Sequence, residues 1–208
     1  MTSAHTTPIA IAILGAGRWG RHLIRNFHQI PDARIVAVID PDQARREAVA
    51  AEVGLGAEII LCDRWDEFCD RADFADQRDQ LQAIVIATPA TTHYPTIVDA
   101  LQRGYHVMCE KPLTLDYGEC RHLCDLAQQQ QRQLLIDHTY LFNPAVHRGA
   151  ELIREGAIGD RRYGYAARVH LAPVRLDVDV VWDLVIHDIS ILNYWLGETP
   201  QRLSAIGQ

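Results

Sequence analysis

Residues 9–20 read IAIAILGAGRWG. The six apolar residues from Ile9 to Leu14 have the length and composition of a strand buried on both faces. Gly15-Ala16-Gly17-Arg18-Trp19-Gly20 follows at once with GxGxxG spacing. Behind it, the stretch from about Trp19 to Ile30 reads as a helix closed by Pro31, and Arg34 to Ile39 as a second strand. Strand, glycine turn, helix and strand make one βαβ unit, and that context separates the motif from a chance GxGxxG. Its physics is backbone access. Gly15 permits the tight turn, Gly17 lets a pyrophosphate approach the main chain, and Gly20 lets helix and strand pack closely, with the anion at the helix N-terminus. Gly15, Ala16, Gly17, Arg18, Trp19 and Gly20 are therefore the expected dinucleotide loop. Asp40 ends the second strand, 20 residues after Gly20, where a carboxylate can accept hydrogen bonds from a ribose hydroxyl. Its charge would repel a 2′-phosphate, so NAD is expected ahead of NADP, a preference that Arg45 and Arg46 temper.

The alternation continues outward from this unit. Asp42 to Val53 reads as a helix, Glu58 to Leu61 as a short apolar run, and Leu81 to Ala87 as an uninterrupted apolar strand. A helix from His93 to Arg103 ends at Gly104, and His106 to Cys109 is the next strand. Strands alternating with helices call for an α/β fold, a doubly wound parallel sheet of Rossmann type with right-handed crossovers. The piece from Cys62 to Gln80, dense in Asp and Arg, is expected as a solvated helix and loop at the domain edge.

Beyond Pro112 the pattern changes. Asp116 and Glu119 are spaced as a capping pair before a helix that runs into Gln128 to Gln131. The expected division is a dinucleotide-binding domain over 1–125 and an incomplete α+β substrate domain over 126–208. The second would hold a strand at Leu134 to Asp137 and a helix from the Asn143 cap and Pro144 to Glu155, closed by Gly156. A strand at Tyr163 to His170, a helix at Asp183 to Leu196 before Gly197, and the start of a strand at Arg202 to Ile206 would complete it.

Twenty Lys and Arg against 27 Asp and Glu give a formal charge of -7, with no basic run. That leaves no electrostatic footprint for nucleic acid or an acidic membrane surface, and points to a small-molecule partner. Met1 to Pro8 carries no basic signal region, and Ile9 to Leu14 is too short to span a bilayer, so a cytoplasmic protein is expected. The five cysteines form no CxxC pair, which argues against a disulfide framework or a zinc site.

Three more clusters carry potential chemistry. Ala87-Thr88-Pro89 ends the long apolar strand and His93 opens the next helix, at the carboxyl edge where open α/β sheets bind ligands; the plainer reading makes Thr88 and His93 cap and turn residues. Glu110-Lys111-Pro112 ends the following strand at the same edge, and a charged pair after a buried strand is costly unless paired or used. Asp183 and His187 stand four apart, on one face of the expected helix. Histidine suits proton transfer near neutral pH, although the same pair could be an N-terminal acid and a satisfied helix histidine. Asp188 diverges from its neighbour on a helix, so these three do not form a metal set.

GAGRWG, the VID ending at Asp40, ATPATTH, GYHVMCEKPL and WDLVIHDISIL, in this order and at these separations, resemble the Gfo/Idh/MocA oxidoreductases over nearly the whole chain. The resemblance implies a nicotinamide enzyme acting on a hydroxyl-bearing carbon of a sugar, cyclitol or sugar nucleotide. It implies that Lys111 contacts the nicotinamide ribose and the reacting hydroxyl, that Glu110 contacts the cofactor ribose, and that Pro112 follows a cis peptide. By the same match Thr88 and Pro89 line the cofactor with His93 in support, Asp183 binds substrate and His187 is the acid/base. Members carry a large open sheet in the second domain that backs the pocket and often forms the dimer interface. Only its beginning is expected here, so a homo-oligomer would lack part of that interface. Val185 stands where the family often has Gly, and Ser190 where a later Asp is frequent, the second bearing on substrate contacts. The alternative is a non-catalytic or truncated dinucleotide-binding module; a metal-dependent enzyme is the weakest reading.

Overall fold

Ile9–Leu14 forms strand β1, which pairs on one side with β2 (Ala33–Ile39) and on the other with β4 (Ala83–Ile86) in the computed structural model. The structure describes residues 7–169 and 178–206. With β3 (Ile60–Cys62), β5 (His106–Cys109) and β6 (Leu134–Ile136), the strands form one parallel sheet in the order β3-β2-β1-β4-β5-β6. The strand order reverses between β1 and β4, so the crevice beyond their carboxyl ends is the topological switch point where such folds take ligands.

Alternate residues of β1 serve opposite layers, as strand geometry requires. Ile11 and Ile13 pack with Leu23 and Ile24 of α1 (Arg18–His28) and Val49 of α2 (Gln43–Val53). Ala10, Ala12 and Leu14 pack into the other layer with Ile97, Ala100 and Leu101 of α5 (His93–Gln102) and Leu123 of α6 (Tyr117–Gln129). Burying each of these leucine, isoleucine and valine side chains contributes about 1.5–3 kcal/mol before the loss of chain entropy. Asp42 and Asp116 cap α2 and α6, accepting from Arg45 N at 3.1 Å and Glu119 N at 2.9 Å.

The segment after Cys62 is less solvated than its charge suggests. Its short helices α3 (Trp65–Asp70) and α4 (Ala75–Gln80) flank Ala72–Phe74, a 3-10 turn. Phe68 is fully buried in the core, and Trp65 Nε1 donates to Asp99 Oδ2 at 2.6 Å. Charge density marks the outer face of this segment, while isolated aromatics anchor its inner face.

The chain divides into two compact units, residues 1–136 and 137–208. The division expected at 125/126 falls inside α6, and β6 beyond it still pairs with β5, Cys109 opposite Ile136. In the second unit Asn143 caps α7 (Pro144–Arg154), its Oδ1 accepting from Ala145 N at 2.8 Å. A π-helical turn, Val181–Val185, runs into α8 (Ile186–Leu196), which ends at Gly197 with φ 70°. The α7 and α8 helices pack through Trp195, whose Nε1 donates to the Val146 carbonyl at 2.8 Å; a Cβ on Gly149 would stand 2.8 Å from its ring. The strands expected at Tyr163 to His170 and Arg202 to Ile206 do not form: residues 163–169 and 202–206 are irregular, and His170 lies outside the described residues. Alternation reports a pleated preference, but a strand also needs a partner for its N–H and C=O groups, and among the described residues neither segment has one. No described helix is long and apolar enough to cross a membrane.

Candidate functional site

The glycine loop is shaped by what two of its glycines touch. Gly15 has φ +98°, and a Cβ there would stand 2.5 Å from the Ala87 carbonyl oxygen, so the turn rests against the chain leaving β4. At Gly20 a Cβ would fall 1.9 Å from the Gly15 carbonyl oxygen, so the first turn of the helix rests directly on the backbone of the glycine turn. Gly17, the N-cap of α1, has nothing within 4 Å of such an atom. Two glycines thus close the loop and the third leaves open space before the N-terminus of an 11-residue helix, which suits a pyrophosphate. Arg18 and Trp19 stand exposed on the first turn, and Ala16 is buried.

Asp40 belongs to this loop as much as to its own strand. It is buried, and its Oδ2 accepts from Ala16 N at 2.7 Å while Oδ1 accepts from Asp42 N at 2.9 Å. A carboxylate has about four acceptor positions, and these two amides take two of them. Arg46 Nη1 donates to the Asp40 carbonyl, and Arg45 pairs with Asp42 at 3.1 Å on the surface.

The other two motifs of this unit are joined by a histidine. His93 is 1% exposed, with Nδ1 2.9 Å from the Pro112 carbonyl oxygen and Nε2 3.0 Å from that of Thr88. It therefore ties the turn after β4 to the loop after β5, and Glu110 N, donating to Ile86 O at 2.9 Å, makes a second tie. Thr88 Oγ1 accepts from Thr92 Oγ1 at 2.7 Å, and Pro89 leads into the 3-10 turn Ala90–Thr92. Glu110 and Lys111 are half-buried, and the Lys111–Pro112 peptide is cis.

In the second unit His187 lies in the first turn of α8, buried, and Asp183 lies half-buried in the π-helical turn before it. The continuous α-helix expected from Asp183 is corrected to a π turn followed by an α-helix. Four residues fall just short of one π turn and just beyond one α turn, so the two side chains still leave on neighbouring sides. Ser190 Oγ donates to the His187 carbonyl at 2.8 Å.

Sequence reasoning missed what surrounds His187. The Tyr140 ring stands edge-on to its imidazole, centroids 4.8 Å apart. Arg168 grips Asp188 with both arms, Nε to Oδ2 at 2.9 Å and Nη2 to Oδ1 at 2.8 Å, and that guanidinium holds the carboxyl below its ordinary range. The sequence raises Asp188 only as a rejected metal ligand, and nothing local links positions 168 and 188. Burial pushes the His138 imidazole below its ordinary value. A cavity of about 740 Å³ in this unit is lined by Arg154, Arg161, Tyr194 and Trp195, at the far end of α8 from His187.

The model of the Gfo/Idh/MocA oxidoreductase family, NAD-binding Rossmann fold, matches residues 9–138. Among curated proteins the chain is 30% identical over 202 residues to a UDP-N-acetylglucosamine 3-dehydrogenase of Acidithiobacillus ferrooxidans, covering 94% of this chain and 56% of that protein. It is 28% identical over 206 residues to the scyllo-inositol 2-dehydrogenase (NAD(+)) of Bacillus subtilis, covering 96% and 57%. The chain thus spans little more than half the length of these relatives. The crystal structure of scyllo-inositol dehydrogenase from Lactobacillus casei with bound NAD(H) and scyllo-inositol superposes with a TM-score of 0.73 at 22% identity, over 92% of this chain and 57% of that one, a likeness of fold.

Proposed function

Because the chain belongs to the Gfo/Idh/MocA oxidoreductase family, we propose that it binds NAD at the carboxyl edge of its sheet and transfers hydride to or from a hydroxyl-bearing carbon of a sugar, cyclitol or sugar nucleotide. The observation that carries the reading is the glycine loop, where Gly15 and Gly20 close against backbone and Gly17 leaves the helix N-terminus open. The relatives acting on a UDP-sugar and an inositol support the substrate class. Asp40 favours NAD, since its carboxylate would face a 2′-phosphate with like charge.

When bound, the nicotinamide accepts or supplies the hydride. The chain's own groups do the rest. In the oxidative direction His187, the base of the reaction, would take the proton of the substrate hydroxyl. The Lys111 ammonium stabilises the developing alkoxide, Glu110 holds the cofactor ribose, and Asp183 binds a further substrate hydroxyl. Thr88 and Pro89 line the cofactor.

Titration with NADH and NADPH, followed by fluorescence, tests the binding half, and a nicotinamide absorbance screen over inositols and UDP-sugars tests the chemical half. NADH binding with turnover that Lys111→Ala and His187→Asn abolish is expected. Failure to bind either nucleotide sinks the reading. Binding with no turnover on any member of the class would favour a dinucleotide-binding module without catalysis.

A further inference from the structure

We infer that Arg168, fixed by Asp188, acts through Tyr140 to position the imidazole of His187; the inference rests on His187 being the acid/base.

The contacts form a closed circuit within the second unit. Asp188 follows His187 in the first turn of α8. Its carboxylate receives both forks of the Arg168 guanidinium, at 2.8 and 2.9 Å. The remaining arm, Nη1, donates to the Tyr140 hydroxyl at 3.2 Å, and the guanidinium carbon lies 4.8 Å from the centre of the Tyr140 ring. That ring stands at 62° to the imidazole of His187 with centroids 4.8 Å apart. The circuit leaves the helix at residue 188 and returns to it at residue 187.

Such a circuit constrains more than a surface ion pair does. Arg168 and Asp188 side chains are each 21% exposed, and the pairing is bidentate, the geometry in which a partly exposed pair keeps its value. A guanidinium has five donors in a rigid fork, so Arg168 can hold the carboxylate and the hydroxyl at once. Tyr140 sits in the 3-10 turn Thr139–Phe142. With Tyr140 held, one flank of the imidazole is defined. A base must keep its nitrogen within hydrogen-bond reach of the proton it takes, and small misplacements of reacting groups are expensive in rate. A plain tether between residue 168 and α8 would need the charge pair alone and would be indifferent to the fork and to Tyr140.

The two roles separate in the histidine ring signals of the full 208-residue protein, recorded by proton–carbon NMR with His187 assigned through His187→Gln. Tyr140→Leu should abolish the ring-current displacement of the His187 signals. Arg168→Lys, which keeps the charge and loses the fork, should shift the same signals toward the Tyr140→Leu position, and Tyr140→Phe, which keeps the ring and loses the hydroxyl that Arg168 holds, should shift them part of the way in the same direction. Unmoved His187 signals in Arg168→Lys would overturn the inference. So would the absence, in the wild-type protein, of a nuclear Overhauser contact between the Tyr140 and His187 rings, a measurement that needs no variant to fold. Neither readout depends on turnover: a failed substrate screen would remove the acid/base reading on which the inference rests while leaving the ring contact measurable, and turnover with His187 signals indifferent to Arg168 would sink the inference alone.

Discussion

The Asp40 carboxylate accepts a 2.7 Å hydrogen bond from the backbone amide of Ala16, so the acidic end of β2 fixes the glycine loop that follows β1. That side chain is buried and serves the loop's shape, and at the proposed NAD site it would also read the ribose. Asp40→Ala strands two N–H groups, those of Ala16 and Asp42, and should cost about 1–3 kcal/mol of stability as well as NADH affinity. Asp40→Asn keeps one oxygen and removes the charge. It should lose less stability and narrow the preference for NADH over NADPH. Urea unfolding beside fluorescence titration checks both, and an Asp40→Ala protein as stable as wild type would refute the clamp.

The glycines offer a cleaner separation of fold from binding. Gly20→Ala puts a methyl group into the Gly15 carbonyl and should destabilise by about 1–3 kcal/mol or more, because the atoms it meets are backbone and cannot swing aside. Gly17 has φ −69° and open space, so Gly17→Ala should leave the melting temperature nearly unchanged. Its methyl would occupy the approach of the pyrophosphate, and NADH affinity should fall by at least about tenfold, or 1.4 kcal/mol. Equal effects of the two substitutions on melting and on affinity would refute this division.

How much of this was legible in the sequence depends on whether a feature is local. The unit β1–α1–β2 was, because period two, a glycine turn and period 3.6 lie within 31 consecutive residues, Ile9 to Ile39. His106 to Cys109 was recovered to the residue because Gly104 and the Glu110-Lys111-Pro112 run punctuate it. The use of polar side chains was not. Asp40 reaching the Ala16 amide, His93 joining two loops, and Arg168 gripping Asp188 are contacts across 24, 19 and 20 residues respectively, and such long-range side-chain bonding leaves no periodic trace. Phe68 was hidden because its neighbours are charged, and burial of one aromatic breaks no pattern. The unformed strands at 163–169 and 202–206 fail for the complementary reason: alternation is local, whereas pairing is not.

Buried thiols set an alkaline limit to stability. Burial pushes Cys62 and Cys69 from 9.0 up to about 12, and pushes Cys109 up as well. The unfolded chain therefore ionises first. Between pH 9 and 12 it holds fewer protons than the native state, so unfolding free energy falls as pH rises, and the thiol contribution is fully present only below pH 9. Urea midpoints should decline through this window, and Cys69→Ala should decline less steeply than wild type. In the native protein at pH 8 a thiol reagent should modify the exposed Cys124 and spare Cys62, Cys69 and Cys109. Rapid modification of Cys109 would contradict its burial.

His93 decides whether the loop bearing Lys111 keeps its place. A neutral imidazole has one N–H to give, and here both ring nitrogens face carbonyl oxygens, of Thr88 and of Pro112. The Pro112 contact is buried, so His93→Leu removes the donor where water cannot easily replace it and should cost about 1–3 kcal/mol. His93→Asn keeps an amide donor on a shorter arm and can serve one carbonyl at most. If the histidine fixes the loop, amide hydrogen exchange should accelerate over 110–114 in both variants, more in His93→Leu. NADH affinity should fall with it, because Glu110 and Lys111 lose their fixed position. If His93 merely fills core volume, His93→Leu should be tolerated, with exchange over 110–114 unchanged. Exchange rising uniformly across the sheet would instead mark a general loss of stability, so the contrast between residues 110–114 and β1 carries the test.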